Sequence, residues 1–429
     1  MESGREKTMS KPHTLESIRA DFPAPAHVPK NLLVDISWAS GTVPNDLRDP
    51  YEPCDFLNGP EIPRLLFNKP GAYSLAGASV GNWVVTHYDD IERVYTDNDT
   101  FSNKGTAEFQ ALIGETFRSI PLAVDPPEHA KYRHYLMPHF SPARLKLMEP
   151  KIREVVVEMI ESFADKGEVD VAWDFGRIYP VRIFMGLMGF PPPMFDQFLD
   201  WEWDILHSND LGKIQAALRS VLAFLRGFIA EKEADPDDNL VSRIVHGEIE
   251  GRPPTEEEKI GMVWFLWLGG LDTVAATISQ MFRRMAFEPE IQTRLRGHPE
   301  LTHTAVEEFL RTQPILNSGR RAKLDFEWHG QSIKAGDSFM CINTAGNFDP
   351  AQFPDPRTFD PARPINRHFT FVGGVHRCLG APLARRELWI LLDEWFKRIP
   401  EFRAKPGSDT TVFPGLMSIR NLHLVWDVA

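Results

Sequence analysis

The ten residues Phe371 to Gly380, FVGGVHRCLG, constrain this chain more than any other stretch, because they set one cysteine in a glycine-rich loop directly ahead of a helix. That helix reads PLARRELWILLDEWFKRI. Leu383, Leu388, Leu391, Leu392, Trp395 and Phe396 mostly recur at helical spacing, which predicts one buried face with the charged residues on the other. Cys378 then sits at or just before a helix N-terminus, where free backbone N–H groups and the helix dipole favour thiolate over thiol. Gly373, Gly374 and Gly380 lack a Cβ, so something flat and bulky can approach the backbone. Phe371, seven residues ahead of the cysteine, is positioned to lie against it.

A thiolate held under N–H donors and faced by an aromatic ring is what a haem iron requires of a cysteine axial ligand. The commoner fate of a lone cysteine is that of a small buried hydrophobe. Only the surrounding pattern, F-x-x-G-x-H-x-C-x-G with an amphipathic helix behind it, separates the two readings.

Length alone suggests about three domains, although single folds of this size exist. The 60 acidic residues outnumber the 47 basic ones, for a formal charge of −13, which argues against nucleic acid as the main partner. Cys54, Cys341 and Cys378 make neither a disulfide framework nor a zinc motif, and they fit a reducing cytosol. The N-terminal residues mix charge and proline without an apolar core, unlike a signal peptide or an anchor. The longest apolar run, Met262 to Leu271, is about half the roughly 20 residues that span a bilayer. These features predict a cytoplasmic protein with no membrane segment.

Along the chain, a short helix is expected around Glu61 to Asn68, then a strand at 82–87 and a helix over YDDIERVYTD. Residues 101–124 read as a long loop, and long loops are often functional. A helix opens at Asp125, taken as its N-cap with a proline near the first position. Helices follow at about 142–165 and 176–188, and two more are joined by SNDLG. Thr255 to Glu258 is a capping box opening a helical pattern that runs without proline to Phe287, on the order of 45 Å long. After it come a helix over HPELTHTAVEEFLRTQ, strand-like segments, a proline-rich irregular stretch and the cysteine loop.

Within the long helix stands LGGLDT, Leu268 to Thr273. Two glycines in a helix interior cost about 1 kcal/mol each relative to alanine. Either Gly269 and Gly270 let another helix cross closely, or they open a groove where a ligand meets the backbone. Thr273 can bond back to the carbonyl of Gly269 and bend the helix. Asp272 is either an ordinary ion-pair partner or, beside that hydroxyl, a proton-handling carboxylate.

Together these motifs resemble the cytochrome P450 haem-thiolate monooxygenases. The resemblance covers nearly the whole chain, in the right order. Segments such as RIFMGLMG, LGGLDTV, LARRE and HLVWD are similar to the bacterial camphor-hydroxylase branch. Val372 departs from the pattern, standing where the family normally has a second glycine. The resemblance implies a mainly α fold with minor β, a single triangular-prism cytochrome P450 domain over 31–429 behind an extended lead-in over 1–30. Haem b would lie between the long helix and the cysteine loop.

By the same resemblance Cys378 is the axial metal ligand, and Asp272 and Thr273 relay protons to bound dioxygen. Arg133, Arg320 and His376 hold the haem propionates, with Phe371, Gly269 and Gly270 also against the cofactor. Glu308, Arg311 and Arg363 lock the segment that carries the cysteine. Phe117, Phe265, Leu268, Leu316, Leu416 and Met417 line the substrate pocket. Phe117 stands where camphor hydroxylase holds its ketone with a tyrosine hydroxyl, which disfavours camphor itself. A compact hydrophobic substrate of monoterpenoid or norisoprenoid type is implied instead.

No flavin or nicotinamide fingerprint is visible, so electrons are expected from an acidic 2Fe-2S ferredoxin and its reductase. Lys131, Arg133, Arg377, Arg385 and Arg386 would receive it on a monomer. A haem-thiolate enzyme using peroxide directly and a non-catalytic haem sensor are the alternatives. The acid–alcohol pair speaks against the first.

Overall fold

In the computed structural model the described residues are 28, 33–34, 64–68 and 81–428, except 209, 365 and 414–415. The lead-in over 1–30 and Cys54 lie outside them, apart from Val28. Helices make most of the fold. The central one begins as its sequence dictates: Thr255 Oγ1 accepts from the Glu258 N–H at 3.3 Å, and the Glu258 carboxylate accepts from the Thr255 N–H at 2.8 Å. This satisfies two of the donors that a helix start leaves open.

The helix is not continuous to Phe287. It runs Glu256–Gly270, breaks at Leu271 and Asp272, and resumes as Thr273–Phe287. The break follows Thr273 Oγ1 donating to the Gly269 carbonyl at 3.1 Å, which competes with the helical ladder. By length and composition the run Glu256–Phe287 could cross a membrane, but 67% of its most apolar window is buried inside the protein, as in a core helix.

Six strands form the main sheet in the order Leu33–Val34, Leu65–Asn68, Asn82–Val85, Ser338–Cys341, Ser318–Ala322, Phe101–Ser102. The expected helix around 61–68 is therefore a strand, pairing Leu65 with Val85 and Phe67 with Trp83. Its apolar run is too short to close helical turns, and Leu65, Leu66 and Phe67 are all buried, as in a strand covered on both faces. Asp125 also differs from expectation. The helix there is Glu128–Leu136, and Asp125 instead accepts from Ser102 Oγ at 2.7 Å and the Asn103 N–H at 2.8 Å.

The cysteine helix, Ala381–Arg398, packs against Pro142–Glu161 and buries its leucines as predicted. Its charges do not all face outward. Glu387 and Glu394 are buried. Glu394 is met by Arg153, Lys397 and Arg398, whereas burial alone pushes the Glu387 carboxyl well above the usual range.

Ahead of the cysteine loop, Glu308 and Arg311 on the helix Thr302–Thr312 have 0% side-chain exposure and pair at 2.7 Å. Glu308 also accepts from Arg363 Nε at 3.2 Å, the Asp360 N–H at 3.0 Å and Asn366 Nδ2 at 2.9 Å. Burial opposes the charge of Glu308, but Arg311 outweighs it and holds the carboxyl below its ordinary range. Arg311 reaches on to the Asn347 carbonyl at 2.9 Å. The group ties one helix to two irregular segments. Arg311→Ala is expected to lose about 3–5 kcal/mol, because it strands a buried carboxylate; an unchanged urea midpoint would show that the pair contributes nothing to stability.

Candidate active site

The cysteine loop is closed by its own backbone. Phe369 O accepts from Val372 N at 2.7 Å, and Phe371 O accepts from Cys378 N at 2.9 Å. Gly374 has φ +65°, and a Cβ there would stand 2.0 Å from the Tyr95 carbonyl oxygen, so glycine is required. Val372 keeps the left-handed backbone that a glycine would adopt, at φ +60°. A β-branched residue is strained there.

Cys378 itself is exposed. Backbone N–H groups of Gly380 and Ala381 and the charges of Arg133 and Arg385 favour its thiolate. Yet the protein packed around the sulfur pushes the thiol up from its ordinary value, against the expectation from the helix N-terminus alone. A bound metal ion would remove the thiol proton outright. Phe371 offers its carbonyl to the Cys378 N–H and its ring to the Arg385 guanidinium, 4.5 Å from the centroid.

Three polar side chains converge beside this loop with atoms that no protein group satisfies. Arg320 is 4% exposed; its Nη1 donates to Ser318 Oγ and Gly319 O, while its Nη2 is buried without a partner. His376 Nε2 and His129 Nε2 are likewise buried and unpartnered, with the two rings 4.3 Å apart. Burial first, and each other's or neighbouring arginine charges second, bring His376 down to about 3 and His129 to about 4. Burial also lowers Arg133 and Arg320. Such orphaned donors are rare in folded proteins and costly. An anionic group with several acceptor oxygens fits them, as haem propionates would. Sequence reasoning missed His129, although it stands four residues before Arg133, on the same helix face.

On the other side, the middle of the central helix is mostly buried but carries a partly open strip. Phe265, Leu268 and Thr273 are partly open and Gly269 is exposed, at spacings that put them on one face. Leu316 and Leu416 are half-buried, while Met417 is buried and gives its carbonyl to Gln280 Nε2 at 2.6 Å. Phe117 lines a cavity of about 250 Å³ with Arg226, Ile229, Ala230 and Ile260. The Arg226 guanidinium lies 5.9 Å from its ring centroid.

Asp272 is buried and meets His207 Nε2 at 2.9 Å; the same nitrogen is 3.4 Å from Glu202 Oε1. Neither His207 nor Glu202 stood out in the sequence, since the pairing spans 65 residues. The basic patch is less free than expected. Arg385 is bound by Glu307 at 2.5 Å and Arg386 by Glu149 at 2.6 Å, whereas Arg377 is exposed.

Residues 181–411 match the family model for Cytochrome P450. The chain is 36% identical over 410 residues to the probable cytochrome P450 127A1 of Sinorhizobium fredii, covering 94% of this chain and 97% of that one. It is 31% identical over 328 residues to the mycinamicin IV hydroxylase/epoxidase of Micromonospora griseorubida, covering 75% and 83% of the two chains. Among solved structures, CYP101J2 superposes with a TM-score of 0.81 at 30% identity, over 95% of this chain and 100% of that one. CYP101C1 gives the same score and identity over 94% and 100%.

A mainly helical fold with a cysteine loop facing a broken central helix is that of a haem-thiolate oxidoreductase. The chain belongs to the cytochrome P450 family, whose members are monooxygenases carrying haem b. In this setting Val372→Gly should relieve backbone strain and raise stability by about 1 kcal/mol, read as a higher guanidinium midpoint, even after the unfolded-state cost of glycine. A lower midpoint would mean that the valine side chain contributes more through packing than its backbone loses.

Proposed function

We propose that this chain hydroxylates a compact hydrophobic substrate, of monoterpenoid or norisoprenoid type, using dioxygen and electrons from a 2Fe-2S ferredoxin. The observation that carries the reading is the partly open strip Phe265, Leu268, Gly269 and Thr273 on the mostly buried middle of the central helix, apolar except at the threonine hydroxyl. Shape and apolar contact would hold such a substrate, with Leu316, Leu416 and Met417 contributing further apolar surface. Phe117 offers no hydroxyl to orient a ketone, so a hydrocarbon-like ligand suits it better than camphor.

Bound haem supplies the dioxygen chemistry of the family, and the residues of this chain set its conditions. Cys378 would supply the thiolate that holds the iron. Arg320, His376 and His129 would hold the propionates through buried atoms that the protein leaves unpartnered, with Arg133 adding its charge. Thr273 presents its hydroxyl at the helix break and Asp272 holds a carboxylate behind it, so protons reach the site through two named groups. Glu308, Arg311 and Arg363 act on the site by fixing the segment ahead of the loop. The ferredoxin would dock at Arg377, Lys131 and Arg133, with Arg385 and Arg386 contributing less because Glu307 and Glu149 offset them.

Reduction under carbon monoxide tests the centre directly. The wild-type protein should show a strongly red-shifted Soret band that Cys378→Ala loses; retention of the band in the variant would remove Cys378 as the ligand. Thr273→Ala should keep haem binding while diverting most reducing equivalents to peroxide, read as the ratio of product to nicotinamide consumed with a ferredoxin system. Full coupling in that variant would refute the relay.

A further inference from the structure

The buried group around Asp272 contains more than the relay needs. His207 follows the C-terminus of the helix Phe195–Leu206, where the helix dipole favours a cation. Its ring stacks on Trp203 at 4.6 Å between centroids. Its Nε2 meets Asp272 Oδ2 at 2.9 Å and stands 3.4 Å from Glu202 Oε1, outside hydrogen-bonding geometry. Glu202 is 3% exposed, and that Oε1 has no hydrogen-bond partner. Beside the three side chains lies a cavity of about 30 Å³, enough for a water molecule.

The charged groups facing His207 come from four elements. Glu202 is on its own helix and Asp272 on the central helix. Arg177 follows the π-helical turn Val171–Gly176, and Arg420 follows the strand Ser418–Ile419; both line the same cavity. The three ligand atoms also lie within 4.8 Å of one another, a spacing open to a metal ion. Two guanidinium groups on the same cavity disfavour a divalent cation there. A proton is the better occupant.

We propose that Glu202 and His207 supply protons to Asp272. The proton on His207 Nε2 passes to Asp272 Oδ2, the Glu202 carboxylic acid returns one to the same nitrogen, and a solvent hydronium proton, passed on through water in the cavity, reprotonates Glu202. Each transfer breaks one N–H or O–H bond and forms another, and the imidazolium is restored. The inference rests on the relay reading of Asp272 and Thr273.

Titration agrees with this order. Burial draws His207 down, but the hydrogen bond to Asp272 and the nearby carboxylate charges of Asp272 and Glu202 outweigh it and bring the imidazole up to about 10. Burial, then the charge of Asp272, raises Glu202 to about 7. At neutral pH the imidazole is therefore charged and Glu202 is half-protonated. As pH rises through about 7, Glu202 loses the proton it would donate, so delivery should fall on the alkaline side.

The test uses holoprotein with a bacterial 2Fe-2S ferredoxin and its reductase, following dioxygen consumption without added substrate from pH 6 to 9. The wild type should slow as pH rises through about 7 and show a solvent hydrogen isotope effect. Glu202→Gln keeps size and polarity, so a purely structural role would leave rate and profile unchanged. We expect it to be roughly tenfold slower and flat in pH, with Glu202→Asp recovering part of the rate and the slope. His207→Gln should be similarly slow. Independently of turnover, infrared difference spectra should show a buried carboxyl band titrating near 7 in the wild type and absent from Glu202→Gln.

Wild-type behaviour of Glu202→Gln beside a slow Asp272→Asn would overturn the supply route and leave the relay standing. A wild-type Asp272→Asn would instead overturn the relay. Loss of the carboxyl band without any change in rate or pH profile would also overturn the supply route.

Discussion

Burying a charge without compensation costs more than most single contacts return, and the whole cysteine side of this protein is arranged around one such charge. Glu308 has no exposed surface, yet its carboxylate stays ionised because Arg311, Arg363, Asn366 and the Asp360 N–H all point at it. Arg311 shares its helix with Glu308, and the other partners come from the segment that leads into the cysteine loop. Fixing the charge therefore fixes the approach of the chain to Cys378. A buried pair of this kind adds little net stability over apolar packing, but it admits few alternative arrangements, which is what a metal-ligand loop needs.

The opposite arrangement holds on the cofactor side. Arg320 Nη2, His376 Nε2 and His129 Nε2 are buried and left without protein partners, and these three gather beside the cysteine loop. The thiol of Cys378 is in the same condition, pushed up by its surroundings despite N–H donors and nearby arginines. Each of these groups is relieved by a ligand that brings oxygen acceptors and a metal. Any such ligand binds the folded state alone and raises its stability by mass action. Arg320, His376 and Cys378, which the resemblance assigns to haem, are thus left electrostatically incomplete by the protein, with His129 beside them.

How much of this was legible depended on how far apart the partners lie. The capping box at Thr255 and the back-bond of Thr273 were read correctly because both ends fall within four residues. The strand at Leu65 was misread as a helix, since its identity comes from Asn82–Val85 pairing beside it and not from its own four residues. Asp125 looked like an N-cap because its neighbours suit one; Ser102 and Asn103, more than twenty residues away, claim the carboxylate instead. Glu387 and Glu394 were assigned to the exposed face of the cysteine helix by charge, but both lie on its buried side. His207 and Glu202 carried no signal at all, because an imidazole between two carboxylates exists only after three helical segments meet.

The paired glycines of the central helix show why two competing readings can both hold. A Cβ on Gly270 would come within 2.3 Å of the Phe184 ring, so this glycine permits a close crossing with the helix Tyr179–Met188. A Cβ on Gly269 would meet nothing within 4 Å. Its absence leaves the helix surface low where Phe265, Leu268 and Thr273 form the open strip. One glycine serves packing and its neighbour serves the site, because adjacent helical positions point about 100° apart. The break that follows has the same double origin. Thr273 draws the Gly269 carbonyl out of the ladder, while Asp272 is turned toward His207 and away from the strip. The carboxylate and the hydroxyl of one dipeptide thus face different surroundings, one closed and charged, the other open and apolar. In the proposed relay Asp272 meets His207 on the closed side while Thr273 faces the open strip, so the two groups join surroundings that are otherwise separate.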